Sequence, residues 1–320
     1  MNKPIYKLRS WIDINKLRWD YLSLNPNAIE LLKIKERENK INWKFISSNP
    51  NAIELIEKNL DKINWSYLSR NENAIFILSN NLDKIDWYYL SSNPNSIEIF
   101  RKNPNMIDWH ELSGNPNAIE LLKENEDKIK WFNLSYNPSA LEILKKHKKK
   151  IYWSNISCNP TAIEILLDNQ NEIDWNNICS NPNAIELIEK NLDKINWSIL
   201  SLNPNAIKIL EENIDKIDWY NLSSNPNAIH LLEKNIEKIC WFKLSSNPNA
   251  IYLLEKYQKN IFWNELSINP SIFIYDYERM KESFKNLSEE IIYKALHPKR
   301  MLRLMQEYGE DEIYDIYFID

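Results

Sequence analysis

The sequence is poor in glycine, and this shortage excludes several classes of active site. Only two of its 320 residues are glycines, Gly114 and Gly309, where average usage would give roughly twenty. Phosphate-binding loops, dinucleotide fingerprints and G-x-S-x-G nucleophile elbows all depend on glycines at fixed spacing. We therefore expect no enzymatic activity, no catalytic residue and no bound cofactor.

Cysteine is also scarce, and the sequence has neither long apolar runs nor a large excess of charge of one sign. The three cysteines, Cys158, Cys179 and Cys240, match no zinc-binding spacing and suit a reducing compartment, so we expect packing roles and no metal. No apolar run approaches the ~20 residues that span a bilayer, and the N-terminus has no signal-peptide core. The net charge of −5, with both signs interspersed, argues against nucleic-acid binding. We expect a cytoplasmic protein without membrane contact.

What the sequence does have is a tandem repeat marked by tryptophan. A Trp recurs every 22 residues, apart from one interval of 24 at the start. The twelve positions are Trp19, Trp43, Trp65, Trp87, Trp109, Trp131, Trp153, Trp175, Trp197, Trp219, Trp241 and Trp263. Fixed periods of 20–50 residues are typical of solenoids, propellers and arrays.

Other positions repeat with the tryptophan, which we number zero. Leu or Ile stands at +3, Ser at +4 except for Cys179, and Asn at +6 in every repeat. Pro follows at +7 except for Glu72, and Ala is usual at +9. The constant side chains predict a structural ladder, represented by Trp43, Trp65, Trp87 and Trp109 and by Asn49, Asn71, Asn93 and Asn115.

The Asn-Pro pair predicts the start of a helix. The Asn side chain caps the free amides of a first turn, and Pro suits the first helical position. The apolar residues at +9, +10, +12 and +13 then share one face, which predicts a helix B of about ten residues.

The segment around each Trp predicts a shorter helix A. Asp or Asn precedes Trp in seven of the twelve repeats and can cap it. A strand, as in leucine-rich repeats, is the alternative, because Ile at −2 and Trp at zero alternate. That pattern requires apolar residues at +1 and +8, whereas +8 is Asn, Ser or Thr throughout. We favour the helix–turn–helix repeat.

A single repeat cannot fold alone. Ordering the backbone costs roughly 1–2 kcal/mol per residue, more than its few apolar side chains return at roughly 1.5–3 kcal/mol each. Stacked repeats cover one another's apolar faces. The predicted fold is an all-α solenoid of about twelve 22-residue repeats, which at about 8–10 Å per layer would extend to roughly 100 Å.

The ends depart from the pattern, as capping segments do. We assign residues 1–18 to an N-terminal cap, residues 19–276 to the tandem-repeat solenoid and residues 277–320 to a C-terminal helical cap. Residues 1–18 contain a degenerate half repeat, "WIDINKLRW". Near the other end, Pro298 suits a helix start and Gly309 a helix end.

The phrase "W-x-x-L-S-x-N-P-N-A-I-x-L-L-E-K-N-x-D-K-I" resembles the Asn-rich 22-residue tandem-repeat proteins of giant DNA viruses of amoebae, the mimivirus-like group. The ending "ALHPKRMLRLM" is similar to the ends of such proteins. The resemblance covers nearly the whole chain. It implies no activity or catalytic residue, and it suggests a location in host cytoplasm or in virions.

Positions +1, +2 and +5 vary while their neighbours stay constant, which indicates exposure. They carry many aromatic side chains, and exposed aromatics along a groove are typical of protein interfaces. The predicted binding face comprises Tyr21, Phe45, Tyr67, Arg70, Tyr88, Tyr89, Phe132, Tyr136, Tyr220 and Phe242. A basic island, "KKHKKK" at residues 145–150, could hold phosphate or an acidic partner, although a solvated helix end also explains it.

We therefore expect a non-enzymatic scaffold for protein–protein interaction, such as a host-directed viral adaptor. A virion structural or self-assembling component is the first alternative. A helical repeat that reads one base per unit is the second, and the net acidity argues against it.

Overall fold

The computed structural model describes residues 4–34, 39–282, 293–294 and 296–308. By internal contacts the chain divides into a ring unit, Arg9–Phe273, and a terminal unit, Met1–Leu8 with Ile274–Asp320. The ring unit is built from short helices in a repeating order, which confirms the predicted all-α tandem-repeat fold. The boundaries after residues 18 and 276 stay predictions, since the contact-based division falls elsewhere.

Helix A spans one to two turns and begins at the repeat tryptophan in eleven repeats. The A helices are Trp19–Leu22, Trp43–Ser47, Trp65–Arg70, Trp87–Ser91, Trp109–Gly114, Trp131–Tyr136, Trp153–Ser157, the 3₁₀ helix Asn177–Ser180, Trp197–Leu200, Trp219–Leu222, Trp241–Ser245 and Trp263–Ile268. All seven Asp and Asn residues at −1 accept a hydrogen bond from a first-turn amide, as Asp108 does from Glu111 N at 3.0 Å.

Helix B is shorter than predicted. It begins at +10 rather than +7 because the Asn-Pro segment forms a tight turn first. The B helices are Ile29–Leu32, Ile53–Glu57, Ile75–Ser79, Ile97–Lys102, Ile119–Lys123, Leu141–Lys146, Ile163–Asp168, Ile185–Glu189, Ile207–Glu212, Ile229–Lys234 and Ile251–Lys256. In three repeats the turn is a 3₁₀ helix, at Glu72–Ala74, Pro248–Ala250 and Pro270–Ile272.

A further 3₁₀ helix follows helix B in most repeats and leads to the next tryptophan. These helices are Leu82–Lys84, Pro104–Met106, Glu126–Lys128, Lys148–Lys150, Gln170–Glu172, Ile214–Lys216, Ile236–Lys238 and Gln258–Asn260, and Ile14–Lys16 precedes the first tryptophan. Most repeats thus hold three short helical pieces, not two.

The asparagine at +6 joins each repeat to the one before it. Its Oδ1 accepts from the amide at +8, as the capping prediction requires, while Nδ2 donates to two backbone carbonyls of the preceding repeat. In Asn137 the donor contacts are Ser113 O at 3.0 Å and Asn115 O at 2.9 Å, and the side chain is fully buried. The second role is invisible in the sequence because it needs a neighbour 22 residues away.

The serine at +4 makes a second link between repeats. Its hydroxyl donates to the tryptophan carbonyl of its own helix and accepts the amide at −1 of the next repeat. Ser113, for example, donates to Trp109 O at 2.6 Å and accepts from Lys130 N at 2.9 Å.

The twelfth repeat meets the first, so the ring unit closes on itself. Asn25 Nδ2 donates to Ser267 O and Asn269 O, each at 3.0 Å, and Arg18 N donates to Ser267 Oγ at 2.9 Å. Lys16 Nζ lies 4.9 Å from the Trp263 ring. The asparagine contacts are those found at all the other repeat junctions, and the serine and lysine contacts are those found at most of them. The expectation that the stack extends end to end is therefore not met.

Two distant segments complete the twelfth repeat. Its helix A and Asn-Pro turn come from residues 263–272, and its second half comes from residues 9–18, where Leu17 is buried like the Ile at −2 elsewhere. Arg9 N donates to Ile272 O at 2.9 Å. Leu55 N donates to Ala52 O at the equivalent position of the second repeat, where the chain is continuous. The degenerate half repeat is therefore the missing half of the last one.

The described part of the terminal unit is small. Strand β1, Tyr6–Leu8, pairs with strand β2, Phe273–Tyr275, and Tyr6 stacks on Tyr275 with ring centroids 5.1 Å apart. A helix spans Pro298–Tyr308 and begins at the predicted proline. Gly309 and the rest of the predicted C-terminal cap to residue 320, together with residues 283–292, lie outside the described residues.

Cys179 is the one departure from serine at +4, and its replacement tests the serine link. Its thiol is buried and accepts Asn196 N at 3.3 Å, and its own helix A is a 3₁₀ helix. We expect Cys179→Ser to stabilise the ring by about 0.5–1 kcal/mol in urea unfolding, because a hydroxyl forms stronger hydrogen bonds than a thiol.

The same variant has a pH signature. Burial raises the pKa of the Cys179 thiol, so the native state resists ionisation more than the unfolded chain does. The stability from this group is complete below the unfolded thiol pKa of about 8.5 and is lost as pH rises through the folded value. This loss above about pH 8.5 should be smaller in Cys179→Ser, and identical pH profiles would contradict the assignment.

Candidate functional site

The A helices form the inner wall of the ring unit. At most junctions successive A helices pack directly on one another, as Trp131–Tyr136 does on Trp109–Gly114 and Trp153–Ser157. Within the described repeats, no two successive B helices approach so closely, and long side chains bridge them, such as Lys145 Nζ to Glu164 Oε2 at 2.9 Å. A closed ring has its shortest circumference near the axis, so the more tightly spaced layer lies inside.

The variable positions of helix A face the opening of the ring. At 100° per residue, +1, +2 and +5 lie opposite the buried +3 and +4. The exposed members of the predicted face are Arg70, Tyr88, Phe132, Tyr136, Tyr220 and Phe242, whereas Tyr21, Phe45, Tyr67 and Tyr89 are half-buried. The structure therefore places all ten side chains on one wall, spread around the ring rather than gathered into one pocket.

Charges on this wall are few and balanced. The cations at the three variable positions are Lys44, Arg70 and Lys243, and the anions are Asp20, Glu111 and Glu265. The Arg70 guanidinium lies 3.9 Å from the centre of the Tyr89 ring, so a cation–π interaction already engages its charge. A wall of this kind offers aromatic and amide groups instead of a continuous basic track.

The phenol of Tyr88 interacts with the carboxylate of Glu111 in the next repeat. Its hydrogen bond to Glu111 raises the pKa of the phenol, because ionisation would place two negative charges side by side. Tyr88 therefore stays a neutral donor at neutral pH. Its exposed ring remains free to pack against a partner.

The tryptophans of the ladder are half-buried rather than part of the closed core. In nine repeats a lysine of the following junction covers the ring, as Lys128 Nζ does at 4.8 Å from Trp109. The asparagines of the ladder are 0–3% exposed and fully engaged in hydrogen bonds. Both sets therefore hold repeats together, and the asparagine side chains have no free amide group left for a ligand.

Two exposed aromatic residues at −1 escaped the sequence-based prediction. Tyr152 meets Phe132 edge to face at 5.5 Å, and Phe262 meets Phe242 in the same way at 5.6 Å. All four rings are between 40% and 51% exposed. The signal was available, because these residues replace the Asp or Asn that caps helix A in seven repeats.

The described residues hold no group of three or more His, Cys, Asp and Glu side chains that could bind a metal ion. None of the described helices is long and apolar enough to cross a membrane.

Comparison with known proteins gives no match to a family model, to a curated protein or to a solved structure. The resemblance to viral repeat proteins stays a prediction, and the site must be interpreted from its own geometry.

Proposed function

We propose that the chain is a non-enzymatic scaffold that binds a protein partner on the inner wall of its ring, in the cytoplasm of a host cell. The exposed aromatic side chains at +1, namely Tyr88, Phe132, Tyr220 and Phe242, carry the proposal. Other repeats hold Ser at this position, at Ser66, Ser154 and Ser198, so the ring does not need aromatic residues there to fold. Tyr and Phe with few charges are typical of interface cores.

The balanced charge of the wall supports a protein over a nucleic acid. Phosphate recognition relies on clustered Lys and Arg, and each neutralised phosphate steepens the salt dependence of binding. The wall has three cations and three anions at its variable positions, Lys44, Arg70, Lys243, Asp20, Glu111 and Glu265.

The test replaces the four aromatic residues by the serine found in other repeats. The variant Tyr88→Ser, Phe132→Ser, Tyr220→Ser and Phe242→Ser should keep the wild-type melting temperature and lose a protein partner that the wild-type ring captures from cytoplasmic extract. We expect at least a hundredfold weaker binding, because each buried aromatic anchor contributes about 1–2 kcal/mol or more.

Phe76→Ser is the matched control. Phe76 lies on helix B and is 75% exposed, the highest exposure of any large apolar side chain in the described residues. The control should bind like wild type. A partner that tolerates the fourfold variant, or that is lost equally with Phe76→Ser, would contradict the inner wall as the binding face.

A further inference from the structure

The junction between the sixth and seventh repeats contains a recess of about 490 Å³. Its walls include the edge-to-face pair Phe132 and Tyr152, the cations Lys130, Lys149 and Lys150, and His110. The volume lies in the range of small-ligand and side-chain pockets. Apolar and cationic side chains therefore line the same recess at one junction of the ring.

The two A helices at this recess have no side-chain N-cap. Asp108 caps helix A of the fifth repeat, but Lys130 and Tyr152 at the equivalent positions make no side-chain cap. Their backbones have the same extended conformation as Asp108, with ψ of 98° and 102° against 106°. The ring thus forgoes two available stabilising contacts and exposes apolar surface instead. Local rules broken in this way are expected at functional positions.

Among the described residues, two of the three lysines of the recess, Lys130 and Lys149, have no carboxylate partner, whereas Lys150 covers the Trp131 ring at 4.6 Å and contributes to the lowered pKa of Glu126. In the neighbouring basic island, Lys145 forms an ion pair with Glu164 and Lys146 forms one with Glu126. The second ion pair lowers the pKa of Glu126. Across residues 4–34, 39–282, 293–294 and 296–308, no carboxylate pairs with Lys130 or Lys149. None of the residues that line the recess is acidic.

From this arrangement we infer that the recess binds an acidic peptide segment of the protein partner, with an aromatic or aliphatic side chain on Phe132 and Tyr152 and carboxylates at Lys130 and Lys149. The inference rests on the proposed protein-binding function and names the chemistry of one contact.

A peptide fits better than a nucleotide or a nucleic acid because the lysines that flank this junction already have partners. Lys145 and Lys146 pair with Glu164 and Glu126, and Lys128 covers the Trp109 ring. The adjoining wall offers Tyr136 and Asn155 rather than further Lys or Arg. The phosphates of a nucleic acid would therefore have no cationic partners beyond the first one or two nucleotides. A peptide could instead continue along aromatic and amide groups.

Restoring the missing caps separates binding from folding. Tyr152→Asn and Lys130→Asn should each raise the melting temperature, since the amide can accept from the first turn of helix A. Each should also weaken binding of a fluorescent Glu-rich peptide with one Phe by at least tenfold. Lys149→Glu should weaken it similarly. Cys240→Asn restores a cap five repeats away and should leave peptide affinity unchanged.

A Lys-rich counterpart of the peptide should not bind. Equal binding of the two peptides, unchanged affinity in Tyr152→Asn, or displacement of the acidic peptide by adenosine triphosphate at equal concentration would each overturn the inference. If a partner captured by the wild-type ring binds Tyr152→Asn and Lys149→Glu undiminished, the recess is excluded while the protein-binding function stands.

Discussion

A disulfide between residues 18 and 267 should form spontaneously in the double variant Arg18→Cys and Ser267→Cys, with the native cysteines replaced by serine. In the closed ring, Arg18 N lies 2.9 Å from Ser267 Oγ although the two residues are 249 positions apart. Non-reducing electrophoresis and mass spectrometry would detect the cross-link. An open array of twelve layers would hold these residues on opposite ends, far beyond the reach of a disulfide.

The energetic consequence is large because the cross-link closes nearly the whole chain. Loop-closure entropy predicts a gain of about 5 kcal/mol for a loop of about 250 residues, against about 3 kcal/mol for one of about 17. Ser223→Cys supplies the short-loop control, since native Cys240 N lies 2.9 Å from Ser223 Oγ in the same geometry. If the control disulfide forms and the 18–267 disulfide does not, the ring is open in solution.

Loss of one ladder asparagine should destabilise the ring by about 3 kcal/mol. Asn137→Ala removes two donor contacts and the acceptor for Ser139 N, so the carbonyl of Ser113 loses this donor while that of Asn115 keeps Ala118 N. Each buried group left unpaired costs roughly 1–3 kcal/mol, so partial solvation still leaves a large effect. Urea unfolding measures the change.

Asn25→Ala turns the same measurement into a test of closure. Asn25 is the first asparagine of the ladder, yet its donor contacts reach Ser267 O and Asn269 O. In a closed ring, Asn25→Ala should lower the free energy of unfolding by the same amount as Asn137→Ala, to within about 1 kcal/mol. A terminal asparagine of an open array would cost far less. Asn155→Ala removes an exposed contact to Phe132 O and a contact from the neighbouring Ser154 hydroxyl. It leaves no fully buried group unpaired, should cost about 1 kcal/mol or less, and serves as the control.

Much of the repeat could be predicted because its signals are local. The Asp and Asn caps at −1, the acceptor role of Asn at +6 and the helix start at Pro298 each depend on a few neighbouring residues. The binding face was harder to predict in full. Tyr152 and Phe262 lie outside the three variable positions, and their pairing with Phe132 and Phe242 joins residues of different repeats.

The length of helix B was misjudged for a similar reason. Pro at +7 is compatible with a first helical turn, but the asparagine before it also bonds the preceding repeat. That second contact holds the Asn-Pro segment as a tight turn and delays helix B to +10. Propensity alone does not contain this tertiary constraint.

The sequence by itself determined the repeat, its length, its helical content and the side chains that every junction needs, because all of these follow from spacing within about 22 residues. Only the tertiary structure decided that the last junction is made with residues 9–18. Closure depends on the small rotation between successive repeats, which side-chain packing sets and which must sum to a full turn over twelve steps. A half repeat at each end of the sequence is compatible with closure. The spacing of residues along the sequence, however, does not give the rotation angle between successive repeats.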